Sequence, residues 1–442
     1  MKRINKHIFL IVLSIIGLLA TNSFGQQLSK QEAIRLALEN NFGIIVAANN
    51  VEIADNNKNI LNSGYLPTLT GAAGAVYNRD NVEAQFSNGD VNTLEGAESD
   101  RYNASVSLNY TLFDGLGRFY NYKRLKEQYN LSELQARETI ENTILQLFTV
   151  YFEIARLSEN VAVLEETLRI SRERITRANY QFEYGQGTKL NVLNAEVDVA
   201  NDSINLINTK QLLQNTKRDL SFLLNEELQT DFRVDTTITF INRLEVEGFL
   251  ETSIENNVRI LRNQSNIAIN EYDVKVNKSG YLPTIGLTGT YGWNKSNNNA
   301  ASFLSTVVSD GLSASINLSW NIFDGGSTIT RVKNARIALE NQEIQQNQIE
   351  LEVRRDIANA LGNYENRLKV YQIQQQNVVT NQNNFERSQE RFKLGQITSI
   401  EFRQAQINLI QAYTNKTLAK YDAKLAELQL LQLTGQLLNI EF

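Results

Sequence analysis

The side chains that most often catalyse reactions or bind metals are nearly absent from this sequence. Its 442 residues include no cysteine and one histidine, His7. Zinc sites use mainly cysteine and histidine, and serine or cysteine nucleophiles are usually paired with a histidine base. Carboxylates alone remain for acid–base chemistry, so we expect neither an enzyme nor a cofactor or metal site.

His7 itself lies in a segment that has the pattern of a secretory signal peptide. Three basic residues precede an apolar run from Ile8 to Ala20, and the small residues Ser23 and Gly25 follow at the spacing of a cleavage site. We predict a signal peptide over residues 1–25, with an uncleaved anchor as the alternative. Its removal takes away three of the 43 basic residues and none of the 49 acidic ones, which leaves a net charge of −9. This charge argues against nucleic acid as a partner.

The rest of the chain contains two copies of one ordered set of motifs. The paired motifs are Ser-Gly-Tyr-Leu-Pro-Thr around Pro67 and Pro283, Phe-Asp-Gly with Asp114, Gly115, Asp324 and Gly325, and a glycine turn at Gly185 and Gly395. The offset is 216 for the first pair and 210 for the others, so one loop is six residues shorter in the second copy. We predict a first structural repeat over 26–230, an equatorial linker over 231–246 and a second repeat over 247–442.

Each copy is predicted to contain two β-strands, at about 67–77 and 103–113 and at about 283–293 and 313–323. Apolar and polar residues alternate from Ala104 to Leu112 and from Ala314 to Ile322, which is the period of a strand with one apolar face. About 10 residues suffice for a tilted strand to cross a membrane. Polar residues dominate 78–101 and 294–311, which we predict to be long loops.

Long helices are predicted over most of the remaining chain. They cover about 116–184 and 328–394, with return helices at about 189–226 and 399–436. Apolar residues recur every seven positions from Leu147 to Phe182 and from Ile357 to Phe392, a period that favours left-handed coiled coils. The apolar stripe is narrow, which suits helices packed side by side in a tube wetted on both faces. An antiparallel coiled-coil rod is the alternative.

Four strands per chain are too few to close a membrane barrel, because the smallest outer-membrane barrels have about eight. An open sheet edge in lipid would leave backbone groups without hydrogen bonds. If the strands cross the membrane, several chains must share one barrel. Two chains would supply eight strands and three would supply twelve, and this arithmetic does not choose between them.

With these motifs in this order, the chain resembles the TolC family of outer-membrane efflux proteins over residues 26–442. The resemblance implies a mainly α protein with a transmembrane β part, in which three protomers share a 12-stranded β-barrel continued by a long 12-helix α-barrel. It implies a passive exit duct in the outer membrane of a Gram-negative bacterium, serving a tripartite efflux or type I secretion system. The partners would be a periplasmic adaptor (membrane fusion) protein, an inner-membrane pump reached through the adaptor, and outer-membrane lipid.

The resemblance also assigns two groups of functional residues. The helix-turn-helix tips, which contact the adaptor in the family, correspond to Tyr184, Gly185, Gln186, Gly187, Thr188, Leu394, Gly395, Gln396, Ile397 and Thr398. Acidic residues that close the periplasmic entrance in the family correspond to Glu401 and Gln404, and to Asn191 and Asn194 in the first copy. This chain has one carboxylate where the family commonly has two, which argues against a strongly acidic, cation-binding constriction.

Several of these residues also have a purely structural explanation. Asp114 and Asp324 each follow a strand and precede a helix, where aspartate accepts hydrogen bonds from free N–H groups and the next glycine permits a tight turn. The tip glycines have the position of helix C-caps. Glu401 lies in the first turn of a helix, where a negative charge offsets the positive end of the helix dipole. Gate and cap therefore both remain open for Glu401.

Two other functions compete with the export duct. A coiled-coil structural or adhesin-like surface protein would explain the helices but not the duplicated amphipathic strands. A periplasmic hydrolase that uses carboxylates would need a compact core and a pocket, and long narrow seams supply neither. The transported substrate cannot be inferred from the sequence, because selectivity in such systems resides mainly in the pump.

Overall fold

The computed structural model describes residues 26–227 and 230–440, so the predicted signal peptide and its cleavage site lie outside the described residues. The helices are α1 (Lys30–Asn40), α2 (Phe42–Asn57), α3 (Gly117–Glu183), α4 (Lys189–Leu223), α5 (Arg243–Glu251), α6 (Ser253–Asn256), α7 (Val258–Ser279), α8 (Ser327–Lys393) and α9 (Ser399–Leu433). The strands are β1 (Gln26–Leu28), β2 (Thr68–Gln85), β3 (Val91–Phe113), β4 (Phe232–Val234), β5 (Thr284–Asn297) and β6 (Thr306–Ser319).

Two helices of 67 residues, α3 and α8, each precede a return helix of 35 residues, α4 and α9. The return helices end at Leu223 and Leu433, three residues earlier than predicted. Asn225 and Gly435 adopt positive φ angles of 53° and 72° there, and a left-handed residue at this place closes a helix. Within the described residues, no helix is both long enough and apolar enough to cross a membrane.

The described chain divides into two compact units, and the helical one contains residues 26–48, 136–260 and 349–440 apart from the two that are not described. Its main core surrounds Phe148 and Phe152 on α3, which are at most 1% exposed and stack with ring centroids 5.3 Å apart. Tyr421 of α9 stacks on Phe152 at 5.7 Å. Full burial of such side chains contributes about 1.5–3 kcal/mol each, so this cluster holds α9 against α3.

The seven-residue apolar stripes form the buried seams of the helical unit. Leu147 and Ile154 on α3 are fully buried, and Tyr364 and Phe385 on α8 are only 5% and 6% exposed. Burial falls off toward the end of α3, where Phe182 is 44% exposed. The period of seven therefore selects residues that pack between helices along the second half of α3 and of α8.

The segment after α4 has little regular structure and is held by side chains of the helices. β4 pairs with β1 in parallel. The hydroxyl of Tyr151 donates to the Leu28 carbonyl at 2.7 Å and accepts from the Asp235 amide at 2.9 Å. The ammonium groups of Lys217 and Lys424 donate to the carbonyls of residues 232 and 239 at 2.6 and 2.8 Å. These bonds satisfy backbone groups that neither helix nor sheet would satisfy.

The second unit, Asn49–Gln135 and Leu261–Gln348, contains a four-stranded antiparallel sheet in the order β2-β3-β5-β6. Pro67 and Pro283 directly precede β2 and β5, where the missing N–H removes no ladder bond. All residues of β6 and the first fourteen of β2 are exposed. Among the described strands of one chain, β2 and β6 each have one neighbour, so each leaves an edge unpaired.

The strands extend further than predicted, and the long loops expected at 78–101 and 294–311 are wrong. β2 and β3 stay paired out to Gln85 and Val91, and β5 and β6 out to Asn297 and Thr306. The connecting turns are confined to 86–90 and 298–305. Backbone hydrogen bonds between the strands hold these polar extensions together. Such bonds do not require alternating apolar side chains, so the sequence pattern does not reveal the extensions.

The last strand also ends earlier than predicted, at Ser319 instead of 323. Ser319 pairs with Thr284, the first residue of β5. The residue before Thr284 is Pro283, which has no N–H to donate, so β6 loses its partner at this point. Trp320 lies beyond the strand, and its indole nitrogen donates to the Tyr281 carbonyl at 3.1 Å.

Candidate functional site

Left-handed glycines build the two helix-turn-helix tips. Gly185 has φ +72° and Gly395 has φ +75°. The amide of the next residue, Gln186 or Gln396, donates back to a carbonyl five residues earlier at 2.7 or 2.8 Å, respectively. This pattern closes a helix and satisfies its last carbonyls. Beside the glycines, the side chains of Tyr184 and Leu394 are 78% and 70% exposed, so each tip presents an apolar group to its surroundings.

The return helices start immediately after the tips with threonine caps. The Thr188 hydroxyl accepts from the Asn191 amide at 3.4 Å, and the Thr398 hydroxyl accepts from the Glu401 amide at 3.2 Å. The carboxylate of Glu401 accepts in turn from the Thr398 amide at 2.7 Å, which completes a capping box. This backbone hydrogen bond lowers the pKa of Glu401. The only carboxylate among the four predicted entrance residues is thus held at its own helix start.

The capping box should weaken in acid. The pKa of Glu401 is lowered in the folded state, so its stabilising effect is complete above the ordinary glutamate pKa and is lost as the pH falls through the lowered value. We expect hydrogen exchange of the first-turn amides of α9 to accelerate between about pH 6 and pH 3, and Glu401→Gln to abolish that change. Glu196→Gln, an exposed change on α4, is the control. A wild-type exchange profile that stays flat after correction for intrinsic rates would contradict the prediction.

The turns from strand to helix are organised by aspartate. One carboxylate oxygen of Asp114 accepts from the amide and the Nε of Arg118 at 2.9 and 3.1 Å. Asp324 accepts from the amide and hydroxyl of Thr328 at 2.8 and 2.6 Å. The adjacent glycines, Gly115 and Gly325, have φ +68° and φ +70°. Each aspartate therefore satisfies N–H groups at the start of a long helix.

A buried charge network joins three helices a few turns from the tips. Both terminal guanidinium nitrogens of Arg403 on α9 donate hydrogen bonds to the Asp202 carboxylate on α4, at 2.9 and 2.7 Å. The Ser171 hydroxyl of α3 donates to the same carboxylate at 2.6 Å, and Gln406 donates to the Thr167 carbonyl of α3 at 3.2 Å. Ser171, Asp202 and Gln406 are all at most 4% exposed. A buried ion pair holds its helices together, because separating the two charged side chains would leave a buried charge without its counter-charge.

A second arginine enlarges this network. Arg174 of α3 is 3% exposed and forms an ion pair with Asp198 of α4, which also lies 3.4 Å from the Nε of Arg403. Burial, with the nearby charge of Arg403, lowers the pKa of Arg174 to about 10. Two arginines and two aspartates balance in charge, so the cluster as a whole is neutral.

Aromatic contacts fix the end of α8 to the start of α9. Phe392 and Phe402 stack almost parallel, with centroids 4.9 Å apart. Arg177 of α3 donates to the Lys393 carbonyl at 2.6 Å, and its guanidinium lies 5.1 Å from the Phe392 ring centroid. A cation at a helix C-terminus satisfies free carbonyls and opposes the helix dipole. Arg177 therefore joins the α8–α9 hairpin to α3, just as Arg403 joins the same hairpin to α4.

The charged network was not identified from the sequence, although a signal for it exists. Asp202 lies three residues after Val199 and four before Leu206, which places a carboxylate on the apolar stripe of α4. Ser171 has the same relation to Leu168 and Ile175 on the stripe of α3, and Arg174 directly precedes Ile175. A charge at a seam position requires a buried partner, but the identity of that partner, 201 residues away, depends on the tertiary structure.

Metal-binding geometry is absent from the residues that the structure describes, where no three His, Cys, Asp or Glu side chains come close enough to hold an ion. A groove of about 650 Å³ lies between α5 and α8 of the helical unit. Its walls are apolar and charged side chains, including Val246, Leu361 and Lys369. The tips and the network near them therefore remain the best candidate for a functional region.

Comparison with known proteins agrees with this architecture. Outer membrane efflux protein BepC of Brucella suis is 23% identical over 411 residues, which cover 92% of this chain and 85% of BepC. Outer membrane protein TolC of Vibrio cholerae is 21% identical over 431 residues, 97% of this chain and 95% of that protein. The CmeC outer membrane channel of Campylobacter jejuni has the same fold, with a TM-score of 0.76 at 17% identity over 92% of this chain and 86% of CmeC.

The family model for outer membrane efflux proteins matches residues 33–226 and 249–436. These two segments contain both long helices, all four strands of the larger sheet and both tips. The chain therefore belongs to the outer membrane efflux protein family, and it is an exit channel in the outer membrane of a Gram-negative bacterium and not an enzyme.

Proposed function

We propose that three copies of this channel protein assemble into one duct. Each copy contributes four strands to a shared 12-stranded β-barrel and four long helices to a 12-helix α-barrel, with the duplicated motifs marking an internal repeat in each protomer. The proposal is supported chiefly by the unpaired outer edges of β2 and β6. In lipid these edges would leave several backbone groups unsatisfied, and pairing with neighbouring copies removes that cost.

An exposed apolar seam on α4 supports the same assembly. The seam consists of Leu190, Leu193, Val197, Ile204 and Ile207, which are between 47% and 65% exposed. Their spacing of three, four and seven is that of a coiled-coil face. A different face of α4, with Val192 and Leu206, is already buried within the chain. The seam therefore has the pattern of a helix surface that packs against a helix of the next protomer.

Polar substitutions in the seam should weaken the trimer. We expect Val197→Asn/Ile204→Asn to cost about 1–2 kcal/mol per side chain in each protomer and to convert the detergent-solubilised protein from trimer to monomer as it is diluted. Glu196→Asn/Ser203→Asn changes the adjacent positions at the same spacing and should leave the trimer intact. Native mass spectrometry reads out both variants. Equal dissociation of the two variants would count against the seam as an interface.

The tips are proposed to dock onto a periplasmic adaptor protein. The exposed Tyr184 and Leu394 supply apolar contacts there, and the turn residues between them and the threonine caps supply exposed backbone groups. Through the adaptor, the duct would receive substrates from an inner-membrane pump of an efflux or type I secretion system. Transport through the duct is passive, because the energy is supplied by the pump.

The entrance is proposed to be formed by the first turns of α4 and α9, with Asn191, Asn194, Glu401 and Gln404. Opening would be led by the tips and would rotate the helices about one another. A constriction held by neutral hydrogen bonds opens at modest cost, since each bond contributes about 1 kcal/mol. Disulfides that lock the tips of neighbouring protomers should then abolish export, and continued export by locked protein would refute this mechanism.

The mass of the mature protein in detergent tests the central proposal. Light scattering corrected for bound detergent should give three times the chain mass. A dimer would correspond to eight strands and would contradict the 12-stranded barrel. A monomer that stays soluble without detergent would contradict the shared barrel altogether.

A further inference from the structure

Neutral amide side chains form one stripe on each return helix. On α4 the stripe consists of Asn191, Asn194, Asn201, Asn205 and Asn208, all exposed. On α9 it consists of Gln404, Asn408 and Gln411, which are exposed, and Asn415, which is half-buried. Residues three, four or seven apart share one face of a helix, so each set forms a continuous amide surface that begins at the tip.

Two carboxylates, Asp198 on α4 and Glu401 on α9, share the spacing of the amide stripes, and each is engaged by a neighbouring group. Asp198 and Asp202 form ion pairs with Arg174 and Arg403, respectively. Lys210 pairs with Glu165 of α3 at 2.6 Å, on another face of α4. Glu401, at the start of the α9 stripe, has its carboxylate bonded to Thr398. The amide groups bond along their own helix instead, as Gln404 donates to Asn408 and Gln411 to Asn415 at 2.8 and 2.7 Å.

Both stripes turn to the same side of the helical unit. α3 and α4 are antiparallel, since Ser171 contacts Asp202 and Arg174 contacts Asp198. α3 and α9 are also antiparallel, since Thr167 contacts Gln406 and Glu159 contacts Thr417. α4 and α9 therefore run in the same direction. They meet where Arg403 binds Asp202. At about 100° per residue, the α4 stripe is displaced from Asp202 in one rotational sense and the α9 stripe from Arg403 in the other. Because the two helices run in the same direction and Asp202 faces Arg403, these opposite rotations place both stripes on the same side of the α4–α9 pair.

The amide side is the face of α4 that best suits a water-filled lumen. Its other faces are the side buried against α3, the apolar seam proposed to meet the next protomer, and the charged side with Lys210. The charged side continues onto α3, where Arg169 pairs with Glu166 and Glu173. The amide stripes instead start at 191, 194 and 404, the positions proposed to form the entrance.

We infer that these stripes line the lumen behind the entrance as a neutral amide surface, so the passage takes polar solutes of either charge sign. The inference rests on the proposed channel and deepens it. Charge selectivity in pores comes from rings of charged side chains. Asparagine and glutamine each offer both donors and acceptors, and thus bind ammonium, carboxylate and phosphate groups without a strong preference.

The test is ion selectivity of the intact mature trimer in a planar lipid bilayer. Because the proposed entrance carries three Glu401 carboxylates per trimer, all variants are made in the Glu401→Gln background, where the reversal potential in a KCl gradient should give a K⁺/Cl⁻ permeability ratio within about threefold of unity. Asn191→Asp/Asn194→Asp places six carboxylates on the stripes of a trimer and should raise that ratio about tenfold. Thr176→Asp/Asn179→Asp adds the same charges at the same spacing on exposed positions of α3 and should change the ratio little. Native mass spectrometry verifies that each variant is a trimer.

Two outcomes would overturn the amide lumen while leaving the channel in place. One is a ratio above about ten in the Glu401→Gln background. The other is an equal shift in the two variants, which would mean that the stripes do not face the ion path. A stable trimer that never conducts would instead overturn the proposed duct, and the amide lumen with it.

Discussion

Replacing Arg403 with alanine should lower the free energy of unfolding of the helical unit by about 3–5 kcal/mol, because the change leaves a buried carboxylate without its counter-charge. Asp202 is 4% exposed, and both of its oxygens accept from Arg403. Asp202→Ala should cost less, because Asp198, 3.4 Å from the Nε of Arg403, still provides that arginine with one carboxylate. The double variant should cost less than the sum, since neither charge is then left alone. Urea unfolding followed by circular dichroism measures all three variants.

An exposed pair of the same chemistry provides the control. Arg367 of α8 binds Asp422 of α9 at 2.6 Å, and the two side chains are 48% and 39% exposed. Exposed pairs contribute about 0–1 kcal/mol, so Arg367→Ala should have a small effect. If Arg403→Ala and Arg367→Ala destabilise the protein equally, burial is not the origin of the effect. Additive costs in the Arg403 and Asp202 variants would likewise refute direct coupling.

Replacing Gly435 with alanine should be far more damaging than the same change at Gly185. Both glycines have φ +72°, and a left-handed conformation costs an alanine about 1–2 kcal/mol. At Gly185 an added Cβ would meet nothing within 4 Å, whereas at Gly435 it would lie 2.3 Å from the backbone carbonyl oxygen of Asn256. We therefore expect about 1–2 kcal/mol for Gly185→Ala and about 2–5 kcal/mol for Gly435→Ala.

The chain beside Gly435 cannot move away freely to relieve this clash. Arg137 of α3 donates to the carbonyls of both Asn256 and Gly435, at 3.0 and 3.1 Å. Separation of the two segments would break this bridge. Because the two substitutions share the change in side chain and the backbone angle, their difference in unfolding free energy isolates the steric contact. Equal costs at the two sites would mean that the Asn256 segment relaxes without penalty.

Much of the local structure could be predicted because it follows from interactions between residues close in sequence. The seven-residue period marks buried positions on both long helices, such as Leu147 on α3 and Phe385 on α8. The glycines at 185 and 395 mark turns that only a left-handed residue closes cheaply. Thr398 and Glu401 lie three residues apart, the spacing of a capping box. That spacing favours the cap explanation of Glu401 within one chain, while its role as a gate remains a proposal.

The extent of the sheet could not be predicted, for an identifiable reason. Residues 78–85 and 91–100 lack a continuous apolar face, yet they pair as strands. Backbone hydrogen bonds to a neighbouring strand do not depend on side-chain polarity. Patterns detect a strand through an apolar face, so a strand without a continuous apolar face has no comparable signal.

By itself, the sequence determined the period of the helices, the capping and turn residues, the paired strands and the family. All of these depend on local stereochemistry or on motif order. The tertiary structure alone decided that Arg403 pairs with Asp202 across 201 residues and that Gly435 lies against Asn256. These contacts arise when distant helices pack in a particular rotation about their axes. A helical pattern specifies which face is buried, and the partner helix specifies what each buried charge meets.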